Sequence, residues 1–151
     1  MWEITKVSIE HSQKLREIAD NILAPIYGNQ DKAFGEWHTG AGNKHAFVAL
    51  NENGQVAGLL SMKLSPEKPY LKISTLLVLE IYKGSGCASE MLKYSVEYAR
   101  KHGYKSILVT VSETKQESID FFMKKGFIVI RSEKDKYTVG ITEHIMIKEL
   151  E

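Results

Sequence analysis

The stretch Leu76–Ala88, which reads LLVLEIYKGSGCA, decides the fold. It begins with a continuous apolar run, Leu76–Leu79, which is typical of a strand buried on both faces. Two glycines, Gly84 and Gly86, then allow the backbone to turn tightly. A helical pattern follows at once, and Gly103 lies just past its end. The apolar face of that helix carries Ala88, Met91, Leu92, Val96 and Ala99. The stretch therefore predicts a buried strand, a glycine turn and a long helix.

The glycine turn predicts an anion site. Free N–H groups at the start of a helix, together with the helix dipole, favour a phosphate group. Lys83 adds a positive charge beside them. A tight turn with no ligand is the alternative. A Walker loop is excluded because its G-x-x-x-x-G-K-[ST] pattern is missing, and a dinucleotide-binding turn is disfavoured because Ser89 stands at its third glycine position.

Around this unit the chain alternates between strand and helix patterns. Asn53-Gly54 is typical of a hairpin turn. Thr114-x-x-Glu117 predicts a capping box that opens a second late helix, which ends at Gly126. The expected strands are Trp2–Val7, Ala46–Leu50, Gln55–Leu64, Tyr70–Leu79, Ile107–Val111, Phe127–Ile130 and His144–Leu150. An early helix begins near Ser8 or Ser12 and ends at Pro25, and a short helix covers Asp31–Trp37.

A second motif lies in the late helix, as Lys115, Ser118, Phe121-Phe122 and Gly126-Phe127. With both motifs, Leu76–Phe127 resembles the GNAT superfamily of acetyl-coenzyme A dependent N-acetyltransferases. In the family signature [RQ]-x-x-G-x-[GA], Lys83 replaces Arg or Gln. In the V-x-P-x-Y that often precedes the signature, here Val78–Tyr82, Glu80 replaces the proline. The resemblance implies a mixed α/β fold: a central sheet of six or seven strands with helices on both faces, as one domain over residues 1–151.

The resemblance also implies a site for acetyl-CoA as co-substrate. The fourth and fifth strands would splay apart, and the pantetheine arm would lie between them against the backbone of Leu76, Leu77 and Val78. The Val78 N–H would be the oxyanion donor, and the N–H groups of Gly84–Ser89 would bind the pyrophosphate. The full set expected to bind the cofactor is Leu76, Leu77, Val78, Lys83, Gly84, Ser85, Gly86, Cys87, Ala88, Ser89, Lys115, Ser118, Phe121 and Phe122.

The catalytic pattern departs from the family. Phe122 stands where many members have a tyrosine that protonates the leaving thiolate. Thr110 and the neighbourhood of Lys72 stand where family carboxylates serve as the base. The general acid and the general base are therefore unknown at this stage. Glu113 lies nearby in sequence, but a solvated position at a helix N-terminus is the expected role.

The other reactive side chains are expected to have structural or solvent-exposed roles. The five histidines lack the spacing of a metal site, so no metal is assigned. His144 on the last strand is expected to face solvent, with the acceptor cleft as the alternative. Cys87 is expected to pack, because the family transfers acetyl directly. The aromatic group Phe34, Trp37 and His38 is equally consistent with substrate binding and with pinning a loop to the sheet.

Composition limits the partners. The formal net charge is +1, which makes nucleic acid an unlikely partner. No apolar run approaches the ~20 residues of a membrane helix, no signal peptide is visible, and the expectation is a cytoplasmic protein. The resulting hypothesis is an acyltransferase that moves acetyl from acetyl-CoA to a primary amine of a small molecule or a protein. A CoA-binding regulatory module with decayed catalysis is the alternative, and a homodimer is compatible with either.

Overall fold

Seven strands form one mixed sheet in the computed structural model, which describes residues 2–151. They are β1 (Glu3–Lys6), β2 (Lys44–Leu50), β3 (Val56–Lys63), β4 (Tyr70–Val78), β5 (Ser106–Ser112), β6 (Ile128–Lys134) and β7 (Thr142–Glu149). Their order across the sheet is β1-β2-β3-β4-β5-β7-β6. Every neighbouring pair is antiparallel except β4 and β5, which run parallel. The mixed α/β sheet that the sequence predicts is confirmed.

Helices cover both faces of the sheet. They are α1 (Ser12–Glu17), α2 (Ala24–Tyr27), α3 (Asp31–Thr39), α4 (Cys87–Lys101) and α5 (Gln116–Lys124). On the face covered by α4 and α5, here the α4 face, Met91, Leu92 and Phe122 pack into the larger core. On the opposite face, here the α1 face, Leu15 and Trp37 belong to a second core. The sheet therefore separates two apolar layers.

The early helix does not end at Pro25 as the sequence predicts. A π-helical turn, Ile18–Leu23, joins α1 to α2, and the helix continues to Tyr27. The wider turn shifts the hydrogen bonds, so that the N–H of Ala24 donates to the carbonyl of Ala19. A proline at the start of the following segment is tolerated there, since its missing N–H is not needed.

The predicted capping box of α5 is also wrong. The residue before the helix is Lys115, and no side chain caps it. Thr114 instead shares a hydrogen bond with Ser112, Oγ1 to Oγ at 2.8 Å. A short polar side chain that bonds locally in a turn is a common alternative to a cap.

The aromatic group on α3 anchors that helix to the sheet. Trp37 is buried in the second core and meets Phe34 edge-on, with 6.2 Å between ring centroids. The Arg16 guanidinium lies over the Phe34 ring at 4.5 Å. Of the two interpretations that the sequence leaves open for this group, these contacts support the structural one.

A glycine lets α4 approach the sheet. A Cβ atom built on Gly58 in β3 lies 2.8 Å from the carbonyl oxygen of Leu77 and 2.8 Å from Cε of Met91. Met91 is fully buried, and the carbonyl belongs to the neighbouring strand, so neither can move away cheaply. The position of α4, and of the loop that precedes it, therefore depends on a residue without a side chain.

Replacing Gly58 with alanine is expected to lower the free energy of unfolding by about 1–3 kcal/mol through overpacking. The control is Gly35→Ala inside α3, where the new Cβ meets nothing within 4 Å. That substitution is expected to stabilise the protein by about 0.5–1 kcal/mol, because alanine favours a helix. Urea unfolding of both variants measures the difference. Equal stability changes in the two would contradict this account of how α4 packs.

Candidate active site

The glycine turn leads directly into α4. The backbone of Gly84 and Gly86 lies in the left-handed region, with φ of 78° and 88°. Gly86 is the residue immediately before the helix. A side chain would be strained at either position, so the sequence needs glycine at both to form this turn.

Five N–H groups of the loop and the first helical turn have no acceptor among the described residues. They belong to Gly84, Gly86, Cys87, Ala88 and Ser89. The first N–H in the helix region to be bonded is that of Glu90, which donates to the carbonyl of Gly86 at 3.0 Å. Free N–H groups that converge at the positive end of a 15-residue helix can bind an anion.

Next to this loop the sheet opens. The pairing of β4 with β5 ends at Ile73 and Val109. Beyond that point β4 remains paired with β3, while β5 remains paired with β7 as far as Ser112. One extra residue in β4, Ser74, bends the strand where the two part, since Ser61 lies opposite Thr75 and Met62 opposite Ile73.

The N–H and C=O groups of every second residue at the end of β4 point into this gap. The N–H of Leu79 donates to the carbonyl of Ala57, which lies directly opposite, so these two residues form a hydrogen-bonded pair. The next pair, Val78 and Gly58, is therefore not hydrogen-bonded across the two strands. The N–H and C=O of Val78 point away from β3 into the gap. By the same alternation the backbone groups of Leu76 point there, whereas those of Leu77 bond to β3. Leu77 thus does not present its backbone as expected.

The apolar run at the end of β4 is not buried on both faces, which corrects the sequence prediction. Leu76–Leu79 is only half-buried throughout. The reason is the gap, since one edge of the strand has lost its neighbour. Leu76 and Val78 face the gap on the α4 side, and Leu77 and Leu79 pack against the second core.

A cavity of about 430 Å³ joins the gap to the glycine loop. Its walls contain most of the residues predicted to bind the cofactor. Three predicted residues do not line it. Leu77 packs on the opposite face, Ser85 turns back to the carbonyl of Tyr82, and Lys115 is exposed ahead of α5. The lining residues are Leu76, Val78, Tyr82, Lys83, Gly84, Gly86, Cys87, Ala88, Ser89, Glu117, Ser118, Phe121 and Phe122.

Tyr82 and Glu117 line the cavity although neither is among the residues predicted to bind the cofactor. Tyr82 is held at the mouth of the cavity, where its hydroxyl accepts a hydrogen bond from Asn51 at 2.8 Å. Trp2 meets its ring edge-on at 5.6 Å. Tyr82 stands at the tyrosine of V-x-P-x-Y, and this was the signal that could have identified it.

The charges at the cavity are partly neutralised. Lys83 pairs with Glu80, Nζ to Oε1 at 3.3 Å, so its charge is shared with the residue that replaces the family proline. Burial raises the pKa of the Cys87 thiol to about 11. The thiol therefore stays protonated at neutral pH and is a poor nucleophile.

Phe122 combines burial with exposure to the cavity. It is 5% exposed and meets Phe127 edge-on at 5.1 Å between centroids. It also contacts Phe121 at 5.2 Å. The ring therefore belongs to the core and to the cavity wall at once, and it carries no proton to donate.

The polar residues considered for catalysis lie apart from the cavity. Oε2 of Glu113 accepts a hydrogen bond from the N–H of Thr142 at 2.7 Å, which ties the loop after β5 to β7. His144 shares a hydrogen bond with Ser132 on β6, Nδ1 to Oγ at 2.8 Å. Burial, together with nearby lysines, lowers the pKa of Lys72.

The model of the acetyltransferase (GNAT) family matches residues 13–127. The chain belongs to this family. Among solved structures, NAA60 of Arabidopsis thaliana in complex with a bisubstrate analogue is similar over 99% of this GNAT chain and 98% of its own, at 16% identity and a TM-score of 0.84. A Bacillus anthracis protein solved in complex with acetyl coenzyme A is similar over 72% of this chain and 63% of its own, at 15% identity and a TM-score of 0.66.

Curated relatives of this GNAT protein match at low identity. Streptothricin acetyltransferase of Streptomyces lavendulae is 25% identical over 118 residues, which is 75% of this chain. "Probable N-acetyltransferase 14" of Xenopus tropicalis is 22% identical over 88 residues, or 58% of this chain. The matches span 61% and 43% of the length of these relatives.

Two features are absent from residues 2–151 of this GNAT chain. None of its described helices is both long enough and apolar enough to cross a bilayer. Within the same residues, no three His, Cys, Asp or Glu side chains lie together in a way that could hold a metal ion.

Replacing Gly86 with aspartate is expected to abolish coenzyme A binding, because it places a carboxylate among the free N–H groups and strains the turn. Gly103→Asp, at the other end of α4, is the matched control, since Gly103 has a similar φ of 81° and equally open surroundings. Each substitution is expected to cost about 1–2 kcal/mol of stability from the left-handed backbone.

Titration of both variants with coenzyme A, followed by circular dichroism, separates binding from folding. The account predicts that only Gly103→Asp retains the affinity of the wild type. Retained affinity in folded Gly86→Asp would mean that the loop is a turn without a ligand.

Proposed function

We propose that this GNAT protein transfers acetyl from acetyl-CoA to a primary amine by direct attack in a ternary complex. The observation that carries the proposal is the juxtaposition of five free N–H groups at the start of α4 with the open edge of β4. A ligand with a pyrophosphate at one end and an amide-bearing arm at the other can bond to the free N–H groups with the first and to the open edge of β4 with the second. Coenzyme A has this chemistry.

The proposed placement follows from the free backbone groups. The pyrophosphate binds the N–H groups of Gly84–Ser89, and the pantetheine arm lies along β4 as an added strand, bonded to Leu76 and Val78. Phe121 and Phe122 cover the arm from α5. The thioester oxygen then lies near the Val78 N–H, and such a donor contributes about 10²–10³ in rate where one has been removed.

The proposed reaction needs no covalent enzyme intermediate. The amine nitrogen attacks the acetyl carbonyl carbon, the C–N bond forms and the C–S bond breaks. The amine gives up two protons in total, one to a base and one to the departing thiolate. Cys87 plays no part as a nucleophile, because it is buried and protonated.

The acceptor is a primary amine of a small molecule or of a protein. The curated relatives support acetyl transfer in general, and the streptothricin acetyltransferase supports a small-molecule acceptor. The similarity to NAA60, solved with a bisubstrate analogue, rests on the fold and leaves the acceptor open.

We further propose that residues 1–151 act as one domain, because a single sheet carries an apolar core on each of its faces.

The second candidate is a CoA-binding regulatory module whose catalysis has decayed. Phe122 favours it, since the ring cannot protonate a thiolate. An enzyme can nevertheless work without this general acid. A leaving thiol with a pKa near 8.5 lies only about 1.5 units above neutral pH, so releasing it as a thiolate costs about 2 kcal/mol.

Acetyl-CoA is expected to raise the melting temperature of the protein, because a ligand that binds only the folded state stabilises it by about 2.7 kcal/mol at 100 times its Kd. Dephospho-CoA and pantetheine are expected to bind less well. Free thiol release is then measured with streptothricin, a polyamine and a lysine-containing peptide. Thiol release with an amine supports the enzyme, a thermal shift alone supports the regulatory module, and neither effect at millimolar acetyl-CoA contradicts both.

Replacing Phe122 with tyrosine is expected to speed turnover, because the hydroxyl places a general acid at the family position in the cavity wall. General-acid catalysis contributes at most about 10²–10⁴. Steady-state rates at several pH values and the free energy of unfolding are measured together. A hydroxyl directed into the core against Phe127 would instead cost about 1–3 kcal/mol of stability and give no rate gain. That result would contradict the expectation.

A further inference from the structure

A buried carboxylate lies close to the gap on the side opposite the glycine loop. Glu143 on β7 is 5% exposed, which makes it one of few buried charged residues in the described chain. No hydrogen bond or ion pair joins its carboxylate to another described residue, and the carboxylate oxygens keep a small contact with solvent. Burial of a charge without a partner is costly, so a carboxylate in this condition calls for an explanation.

The strand pattern places Glu143 on the α1 face. Val111 and Met146 belong to the core on the α4 face, so Ser112 and Glu143, which alternate with them, point to the other side. Glu143 lies directly opposite Ser112, at the end of β5. This is the part of β5 that has separated from β4, and the carboxylate is therefore one strand away from the gap.

Side chains from two neighbouring elements lie near this carboxylate. Glu133 on β6 lies directly opposite Glu143 and is itself paired with Lys136, Oε2 to Nζ at 2.9 Å. Tyr27 comes from the end of α2, and its pKa is raised, by burial first and then by the negative charge of Glu143. Glu143 thus lies on the face of the sheet that the proposed cofactor leaves free.

We propose that Glu143 receives the ammonium group of the acceptor and takes its proton. The inference rests on the proposed function and names a base for it. The ammonium form of the acceptor pairs with the carboxylate in the ground state, which supplies the partner that Glu143 lacks. No residue of β4 or β5 needs to provide the base, which explains how Lys72 and Thr110 can occupy the family carboxylate positions.

The protons balance as follows. R–NH₃⁺ gives one proton to the Glu143 carboxylate and becomes R–NH₂, whose lone pair attacks the acetyl carbon. When the C–S bond breaks, the second proton leaves the nitrogen and joins the thiolate to form CoA–SH. The Glu143 carboxyl group then releases its proton to water. The products are R–NH–CO–CH₃, CoA–SH and one proton.

Burial favours this role. It raises the pKa of Glu143, with a smaller contribution from the charge of Glu113, and His144 and Lys136 oppose the shift. A carboxylate with a raised pKa accepts a proton more readily from an amine. The raised pKa also means that ionised Glu143 destabilises the fold, so stability is gained as the pH falls through that pKa.

The first test compares Glu143→Gln with Glu149→Gln. Glu149 lies on the same face of β7 at its far end, opposite Ser106, and is exposed. With an amine accepted by the wild type, Glu143→Gln is expected to lower kcat/KM by about 10²-fold or more and to remove the acid limb of its pH profile. Coenzyme A affinity is expected to stay unchanged. Glu149→Gln, and His144→Gln as a test of the neighbouring titratable group, are expected to keep the acid limb.

The second measurement is the melting temperature. Glu143→Gln is expected to exceed the wild type at pH 8, and the difference is expected to vanish below about pH 4.5, where the carboxyl is protonated in both states. A structural anchor would give the opposite sign, because removing its charge would lower the melting temperature.

The outcomes distinguish a failure of the role proposed for Glu143 from a failure of the proposed function. An unchanged rate and pH profile in Glu143→Gln, or a lower melting temperature at pH 8, overturns the role of Glu143 and leaves acetyl transfer intact. A wild type that binds coenzyme A and acetylates no amine overturns the proposed function, and the role of Glu143 with it.

Discussion

The candidate site exists because β4 separates from β5 after Ile73 and Val109. A strand that loses a neighbour exposes backbone N–H and C=O groups, and buried groups of this kind need partners. The apolar residues at the end of β4 are left half-covered for the same reason. The gap thus leaves backbone groups of β4 free to bond a ligand, and the glycine loop with its free N–H groups opens beside it.

Other features of the fold keep this gap in place. The extra residue Ser74 bends β4 where the strands part. Gly58 allows Met91 of α4 to pack directly on β3, which sets the start of the helix against the end of β4. The two cores hold the sheet from both faces, so that the gap is a fixed opening in a packed structure.

The sequence predicts most of this architecture because its signals are local. Continuous apolar runs, the Gly84–Gly86 turn and the hairpin at Asn53-Gly54 each determine a short segment. Prediction from the sequence fails where contacts between distant segments determine the local structure. The π-helical turn before Pro25 depends on hydrogen bonds shifted along the helix, and the half-exposure of Leu76–Leu79 depends on a strand pairing that ends early. The burial of Glu143 cannot be predicted from the sequence, because a glutamate at the start of a strand looks solvated until β5 and β6 pair on either side of it.

Amide hydrogen exchange, with and without acetyl-CoA, measures whether the cofactor covers the open edge of β4. Exchange is expected to slow at Leu76 and Val78 and at the loop amides from Gly84 to Ser89. Leu77 and Leu79 serve as internal controls, because their N–H groups face β3 and should exchange equally in both states. Equal protection of all four strand amides, or none at Leu76 and Val78 while the protein binds acetyl-CoA, would contradict the claim that the cofactor completes the open edge of β4.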